Sequence, residues 1–234
     1  MQVYKSSLKE YLAEEILSEI YSKKKVAKKV NKMQGINCNY TSTEEVLRTY
    51  ARAFQSELNK KAALIALESL NKEKKMLLRL KYGEEKHLVA ISFALNMSVG
   101  QLVKWNQSII VKVANFMEYR LMEEDVFCKK NIVRMIELLS KSIEFFTMLS
   151  TQVEIRRDWL EEMKRRKNNY DRLLERIERL ENEGKKNSFS TVVITKIKNP
   201  EQPLVCIAEF CKLNQSVVSR YLKRFANSVK VYLT

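Results

Sequence analysis

Only four glycines and two prolines punctuate this chain of 234 residues. Those residues supply most tight turns and left-handed backbone, so their scarcity points to long helices and few strands. Phosphate-cradling loops and dinucleotide turns need clustered glycines, and neither motif occurs, nor does a nucleophile elbow. There is a single histidine, His87, and the four cysteines (Cys38, Cys128, Cys206, Cys211) form no CxxC pair. The ligand spacing of a zinc site is therefore missing. His87 follows Lys86 at a helix start, which suits a surface or capping role better than catalysis. No apolar run approaches the ~20 residues that cross a bilayer, and the opening MQVYKSSLKEYLAEE is too charged for a secretion signal. These absences give an expectation of no enzyme activity, no metal, no cofactor and no membrane association, with reduced thiols in a cytoplasmic protein.

Positive charge is what the chain has in excess: 43 Lys and Arg against 28 Asp and Glu, a formal net charge of +15. Such a surplus suits nucleic acid or another anionic surface. The carboxylates mostly alternate with Lys and Arg at helical spacing, as solvated ion pairs do.

Periodicity predicts a first helix from about Ser6 to Met33, with Leu8, Tyr11, Leu12, Ile16, Ile20 and Ala27 inward. Lys23-Lys24-Lys25 and Lys28-Lys29 interrupt it, as a solvated face or as phosphate contacts. Gly35 to Tyr40 reads as a loop, and Thr41-Ser42-Thr43 before Glu44-Glu45 as a helix start. A second helix is expected over about Thr43 to Leu70, carrying Val46, Leu47, Tyr50, Phe54, Leu58, Ile65 and Leu67. Asn71 is placed to cap a third, Lys72 to Tyr82, which Gly83 stops. In the second half, Glu123 to Ser150 carries Ile132, Met135, Ile136, Leu139, Ile143, Phe146 and Leu149. Neither glycine nor proline lies between Cys128 and Glu183, yet a break near Ser150-Thr151 is expected because long uncapped helices are rare in compact domains. Trp159, Met163, Tyr170, Leu173, Ile177 and Leu180 fall on alternating four- and three-residue steps, with Arg166 as the exception. That coiled-coil-like seam offers a route to a homo-oligomer through 159–180. Gly184 to Ser188 reads as a loop. SFSTVVITKI is β-branched, but it occupies the place that a helix holds in the first half, and a helix is expected.

The last thirty residues show the strongest motif. A short apolar segment, Leu204 to Leu213, ends at Asn214-Gln215-Ser216. A second helical pattern follows, with Val217, Val218, Tyr221, Leu222, Phe225 and Val229 apolar. This is the layout of a helix-turn-helix. Ile207 and Ala208 are expected where the two helices cross, with Cys211, Leu213, Val218 and Tyr221 closing the core and Cys206 and Cys211 as buried space-fillers. Lys212 takes the turn position that prefers glycine. Gln215, Ser216, Ser219, Arg220, Lys223 and Arg224 face outward. Glutamine and arginine can pair bidentately with adenine and guanine edges, and serine and lysine can reach phosphates or bases.

An ungapped shift of 116 positions finds a second copy over Leu88 to Met117. Leu88, Val89, Ile91 and Val113 match Leu204, Val205, Ile207 and Val229 identically, and Lys104/Arg220 and Trp105/Tyr221 match in kind. Asn96 holds the turn, where asparagine tolerates left-handed backbone, and Ser98 is a good cap. The outward candidates here are Ser98, Gln101, Lys104 and Gln107, with Ser108 beside them. Val99, Gly100 and Val103 replace the polar groups of the later copy and suit thymine methyls or a protein surface equally.

The stretch LESLNKEKKMLLRLKYGEEKHLVAISFALNMSVGQLVKWNQSIIVKV resembles the C-terminal promoter-binding region of sigma-70-type bacterial sigma factors. There a leucine-spaced helix precedes the helix-turn-helix, a role that Leu77, Leu80, Lys81 and Tyr82 would fill. It is also similar to small phage late transcription regulators. The resemblance covers about 50 residues of each half and implies major-groove recognition of double-stranded DNA beside RNA polymerase, on a phage or mobile element. No core-polymerase-binding segment is recognisable upstream, which argues against a sigma factor itself.

The expectation is thus an all-α protein of two tandem degenerate units, 1–117 and 118–234, each closing in a helix-turn-helix (about 88–117 and 204–233), that regulates transcription by binding DNA. Two alternatives stand beside it: a DNA packaging or replication protein akin to a small terminase subunit, and a protein–protein adaptor acting on host machinery. The helical pairs would then serve packing alone or contact protein.

Overall fold

The computed structural model describes residues 8–21, 43–151, 155, 157–184 and 187–233. Every regular element among them is helical, as the scarcity of turn residues implies. The lysine run over 23–29, the loop expected over 35–40, the Thr41-Ser42 cap and Cys38 lie outside the described residues. Two compact units divide the chain, Met1–Glu118 and Tyr119–Thr234.

The first unit contains α1 (Leu8–Tyr21), α2 (Thr43–Glu68), α3 (Lys72–Leu78), α4 (Leu88–Leu95) and α5 (Val99–Met117). A π-type turn over Arg79–Gly83 prolongs α3. Helix α5 is the hub, and α1, α2, α3 and α4 all pack on it. Its Leu102, Ile109, Val113 and Phe116 are buried with Leu58, Ala62, Ala63 and Ala66 of α2 and Leu77 and Leu78 of α3. Three alanines in two turns of α2 keep that face thin, and helix separation is set by the side chains at the contact. The first half of α2 is different: Val46 and Tyr50, expected inward, are exposed. Helix α1 also turns differently from the expected stripe. It buries Ala13 and Leu17, whereas Tyr11 and Leu12 face solvent. The small Ala13 lets α1 settle one face over, with Glu14 reaching Lys81 and Tyr82.

Asn71 caps α3 as expected, its side chain accepting a hydrogen bond from the Lys74 N–H at 2.9 Å. Gly83 does not end that helix through left-handed backbone; the left-handed residue is Glu85, with φ 52°. A Cβ at Gly83 would meet the Tyr21 carbonyl of α1 at 3.5 Å, an ordinary contact, so neither backbone nor space requires glycine there.

The second unit opens with a 3₁₀ turn, Glu123–Phe127, followed by α6 (Lys129–Leu149), α7 (Arg157–Glu183), α8 (Ser188–Lys198), α9 (Leu204–Cys211) and α10 (Gln215–Val229). The expected break is there: α6 ends at Leu149, where the Ser150 and Thr151 hydroxyls donate to the Thr147 and Met148 carbonyls. Helix α7 then packs on α6. Its seam residues Met163, Tyr170, Leu173 and Ile177 are buried within the unit, and Trp159 meets Phe146 edge-on at 4.8 Å. Tyr170 is fully buried, and its hydroxyl donates to the Tyr119 carbonyl (2.8 Å) and accepts from the Leu121 N–H (3.1 Å). Satisfying both functions avoids the ~1–3 kcal/mol cost of an unpaired buried polar group. The seam expected to join subunits is therefore spent inside the unit, and assembly through 159–180 would have to use the charged outer side of α7.

The β-branched stretch is a helix, α8, despite its strand propensity. Asn187 accepts from the Ser190 N–H at 2.8 Å while the Ser190 hydroxyl accepts from the Asn187 N–H at 3.2 Å. Val192, Val193, Ile194 and Ile197 are buried. Reciprocal capping fixes the start and burial outweighs a propensity difference of a few tenths of a kcal/mol per residue. At the other end the Lys196 ammonium donates to the Pro200 and Gln202 carbonyls. Burial holds that ammonium below its ordinary pKa.

Candidate nucleic-acid interface

In the second unit α9 ends in a left-handed residue. Lys212 has φ 53° and ψ 43°, and the Leu213 N–H reaches back to the Ala208 carbonyl at 3.0 Å. This six-to-one bond is the Schellman closure, which normally uses glycine because a Cβ in left-handed backbone costs about 1–2 kcal/mol. Asn214 in extended backbone then starts α10. Ile207, Ala208 and Val218 are buried between the helices, with Leu222, Phe225 and Val229 continuing the core toward the 3₁₀ turn. Phe225 meets Phe127 of that turn at 5.6 Å. The thiols depart from expectation: Cys206 is exposed and Cys211 half-buried. Cys206 sits on the outer side of α9, whereas Cys211, one turn on from Ile207, has its thiol 3.9 Å from the hydroxyl of buried Thr195 on α8.

Gln215, Ser216, Ser219, Arg220, Lys223 and Arg224 are all exposed. Helix α10 contains no carboxylate, so its outer side presents amide, hydroxyl and cationic groups alone. Two rings stand beside the cations. The Arg220 guanidinium lies 6.0 Å from the centre of the Tyr221 ring, and that of Arg224 lies 5.4 Å from the centre of the Phe189 ring. Phe189 and Tyr221 meet edge to face at 5.7 Å. At the far end of the helix Lys230 pairs with Glu123 at 2.9 Å, which holds that carboxyl below its ordinary pKa.

The corresponding pair in the first unit has the same backbone. Asn96 is left-handed (φ 50°, ψ 48°), and the Met97 N–H donates to the Ser92 carbonyl at 3.0 Å. The Ser98 hydroxyl caps α5 by accepting from the Gln101 N–H at 3.2 Å, and α4 and α5 meet at a bend of 101°. That angle lies within the ~90–120° of a helix-turn-helix. His87 is exposed at the N-terminal cap position of α4, without a side-chain cap bond.

The surface chemistry differs. Ser98, Gln101, Lys104 and Gln107 are exposed, but the Gln107 amide donates to Glu10 of α1 at 3.0 Å, and the Ser98 hydroxyl is engaged in capping. Lys112, the other cation of α5, is buried, its ammonium 5.7 Å from the Phe116 ring centre. Lys104 is left as the exposed cation of the helix. Val99 and Val103 of the same helix are also exposed, as are Val89 and Phe93 on α4, at 59% and 82%. Glu14 accepts from Tyr82 (2.9 Å) and Lys81 (3.1 Å), and the Tyr82 hydroxyl also approaches Asn106 at 3.2 Å. Burial and the neighbouring Glu14 carboxylate push the Tyr82 phenol above its ordinary pKa. The cluster ties α1 to α5.

Comparison with protein-family models, curated proteins and solved structures finds no match.

Among the described residues no group of His, Cys, Asp and Glu is arranged to hold a metal ion, and no single helix is long and apolar enough to cross a membrane. Sequence reasoning missed Phe189, which reaches the outward side of α10 from a different helix. A signal existed: at the 116-residue spacing Phe189 stands opposite Glu73, an aromatic where the first unit has a charge. It also assigned Tyr221 wholly to the core, whereas that ring is only half-buried and shared with the surface.

Proposed function

We propose that this chain binds double-stranded DNA and regulates transcription, with α10 entering the major groove. The observation that carries the reading is the outer side of α10. Six polar or cationic side chains are exposed on one helix without a carboxylate, directly after a left-handed turn that sets the helix against α9. A helix presented this way can place bidentate donors at base edges while its cations neutralise phosphates.

The tandem reading is supported by coincident helix limits. At a spacing of 116 residues, the starts of α3, α4 and α5 (72, 88, 99) fall on those of α8, α9 and α10 (188, 204, 215). The left-handed residues 96 and 212 coincide as well, and Asn71 and Asn187 both cap by accepting from the N–H three residues on. On this reading each unit closes in a helix-turn-helix, and the fold resembles the promoter-binding region of sigma-70-type factors used twice. The later copy carries sequence readout. The earlier one contributes a backbone contact through Lys104, and the exposed Val89 and Phe93 favour a protein partner for α4, with RNA polymerase the one that the resemblance implies.

A fluorescence titration of labelled random-sequence duplex over a salt series tests this. Each phosphate neutralised contributes about −0.9 to the slope of log affinity against log salt, so Arg220, Lys223 and Arg224 alone correspond to about −2.7. Binding that is flat between about 50 and 200 mM salt overturns the DNA reading.

A further inference from the structure

We infer that Phe189 is a positioning residue for the reading helix: its ring holds the Arg224 guanidinium and, through Tyr221, aligns Arg220 for duplex DNA. The inference rests on the proposal that α10 binds DNA. Four side chains form a continuous series, guanidinium, ring, ring, guanidinium, at separations of 5.4, 5.7 and 6.0 Å. Phe189 lies in the first turn of α8, outside the α9–α10 pair, and that turn is fixed by the Asn187–Ser190 reciprocal cap. The ring thus stands on rigid backbone that does not itself belong to the reading helix.

An exposed arginine is a poor recognition group while it samples many rotamers, because binding must then freeze them. A guanidinium over a ring face loses part of that freedom before DNA arrives, and the stack leaves its N–H edge open for a base or phosphate. Packing alone does not explain an aromatic here. Phe189 is only half-buried, and the core of α8 is supplied by Val192, Val193, Ile194 and Ile197. The first unit lacks the arrangement: Glu73 and Ser108 occupy the positions of Phe189 and Arg224, and Trp105, at the position of Tyr221, has the Lys74 ammonium 6.0 Å from its ring centre instead.

The test compares Phe189→Leu, which keeps apolar bulk, with Phe189→Tyr, which keeps the ring, on the full chain against random duplex at low salt. Phe189→Leu should retain the unaltered thermal midpoint within ~2 °C and bind about three- to five-fold more weakly, and Phe189→Tyr should restore affinity. In an Arg224→Ala background Phe189→Leu should have a clearly smaller effect, limited to what the ring transmits to Arg220 through Tyr221. A second readout needs no DNA: the Arg224 side-chain protons should carry an upfield ring-current shift in NMR that Phe189→Leu abolishes. Equal losses from Phe189→Leu with and without Arg224, or no ring-current shift, overturn the inference while leaving the DNA reading intact. Failure of the unaltered protein to bind duplex at low salt overturns the DNA reading and the inference together.

Discussion

The α4–α5 and α9–α10 pairs share a turn, and both first helices leave apolar side chains exposed (Val89 and Phe93; Val205 and Phe210), but their second helices differ in what they show to solvent. Both first helices end in a left-handed residue with the same six-to-one hydrogen bond, so the backbone is indifferent to what the outer face carries. In the first unit the second helix exposes one cation, Lys104, together with Val99, Val103, Gln101 and Gln107, and the Gln107 amide donates to Glu10 of α1. In the second it is cationic, with two rings standing by the arginines. A helix pair is a scaffold whose buried residues set geometry and whose outward residues are free to differ.

The sharpest way to break this comparison is to exchange the fates of its phenylalanines. Phe225 is fully buried against Phe127, and Phe225→Ala should cost about 3–5 kcal/mol of the second unit's stability. Phe93→Ala, on the exposed face of α4, should change stability by less than about 0.5 kcal/mol. Urea unfolding followed by circular dichroism checks both, and a large loss for Phe93→Ala would mean that α4 is covered in solution.

Next in size is the division of labour on DNA. Arg220→Ala should cost about 1–3 kcal/mol on a preferred site selected from random duplexes, and much less on random sequence. Lys104→Ala should weaken both DNAs equally and reduce the salt slope by about 0.9. Titrating both variants against both DNAs decides it, and the reverse pattern would move the reading head to α5.

A smaller effect separates the two turns. Lys212 has left-handed backbone without asparagine's tolerance for it, so Lys212→Gly should raise thermal stability by up to about 1 kcal/mol. Asn96→Gly should be nearly neutral, within about 0.5 kcal/mol. Calorimetric melts distinguish them.

The smallest effect concerns the α1 clamp. Burial raises the pKa of Glu14, but hydrogen bonds from Tyr82 and Lys81 outweigh it and hold the carboxyl below its ordinary 4.5. A carboxylate depressed in the folded state contributes stability that is fully present above pH 4.5 and lost as pH falls through the folded value. Because Glu14 is substantially exposed, solvent screening limits that contribution to under about 1 kcal/mol. The urea midpoint should fall between about pH 5 and pH 3 in the unaltered protein. The fall should be shallower in Glu14→Gln, and equal slopes would show that the clamp is idle.

Much was legible because helix chemistry is local. Few glycines and prolines, Asn71, Asn96 and Ser98 at helix ends, and the polar step at 214–216 act within a few residues, so the helices and their caps follow from neighbours alone. The outward residues of α10 were legible too, since an amphipathic helix beside an apolar partner has one way to turn. What failed depended on distant partners. The inward stripe of α1 was misplaced because Ala13 and Leu17 are chosen by the surface they meet, not by their own hydrophobicity. The seam of α7 looked open to a second chain because sequence does not reveal that α6 already covers it. Cys206 looked buried because a small apolar residue fits either side of a short helix.

By itself, then, the sequence determined an all-helical chain, the positions of its caps and turns, and the charge of its last helix, since backbone propensity, capping and composition act over a few residues. Only the tertiary structure decided which seam is spent internally. It also decided that Phe189 and Arg224, 35 residues apart in sequence, stack into one surface. Those outcomes depend on burial between distant segments, whose free energy exceeds any local preference once the segments meet.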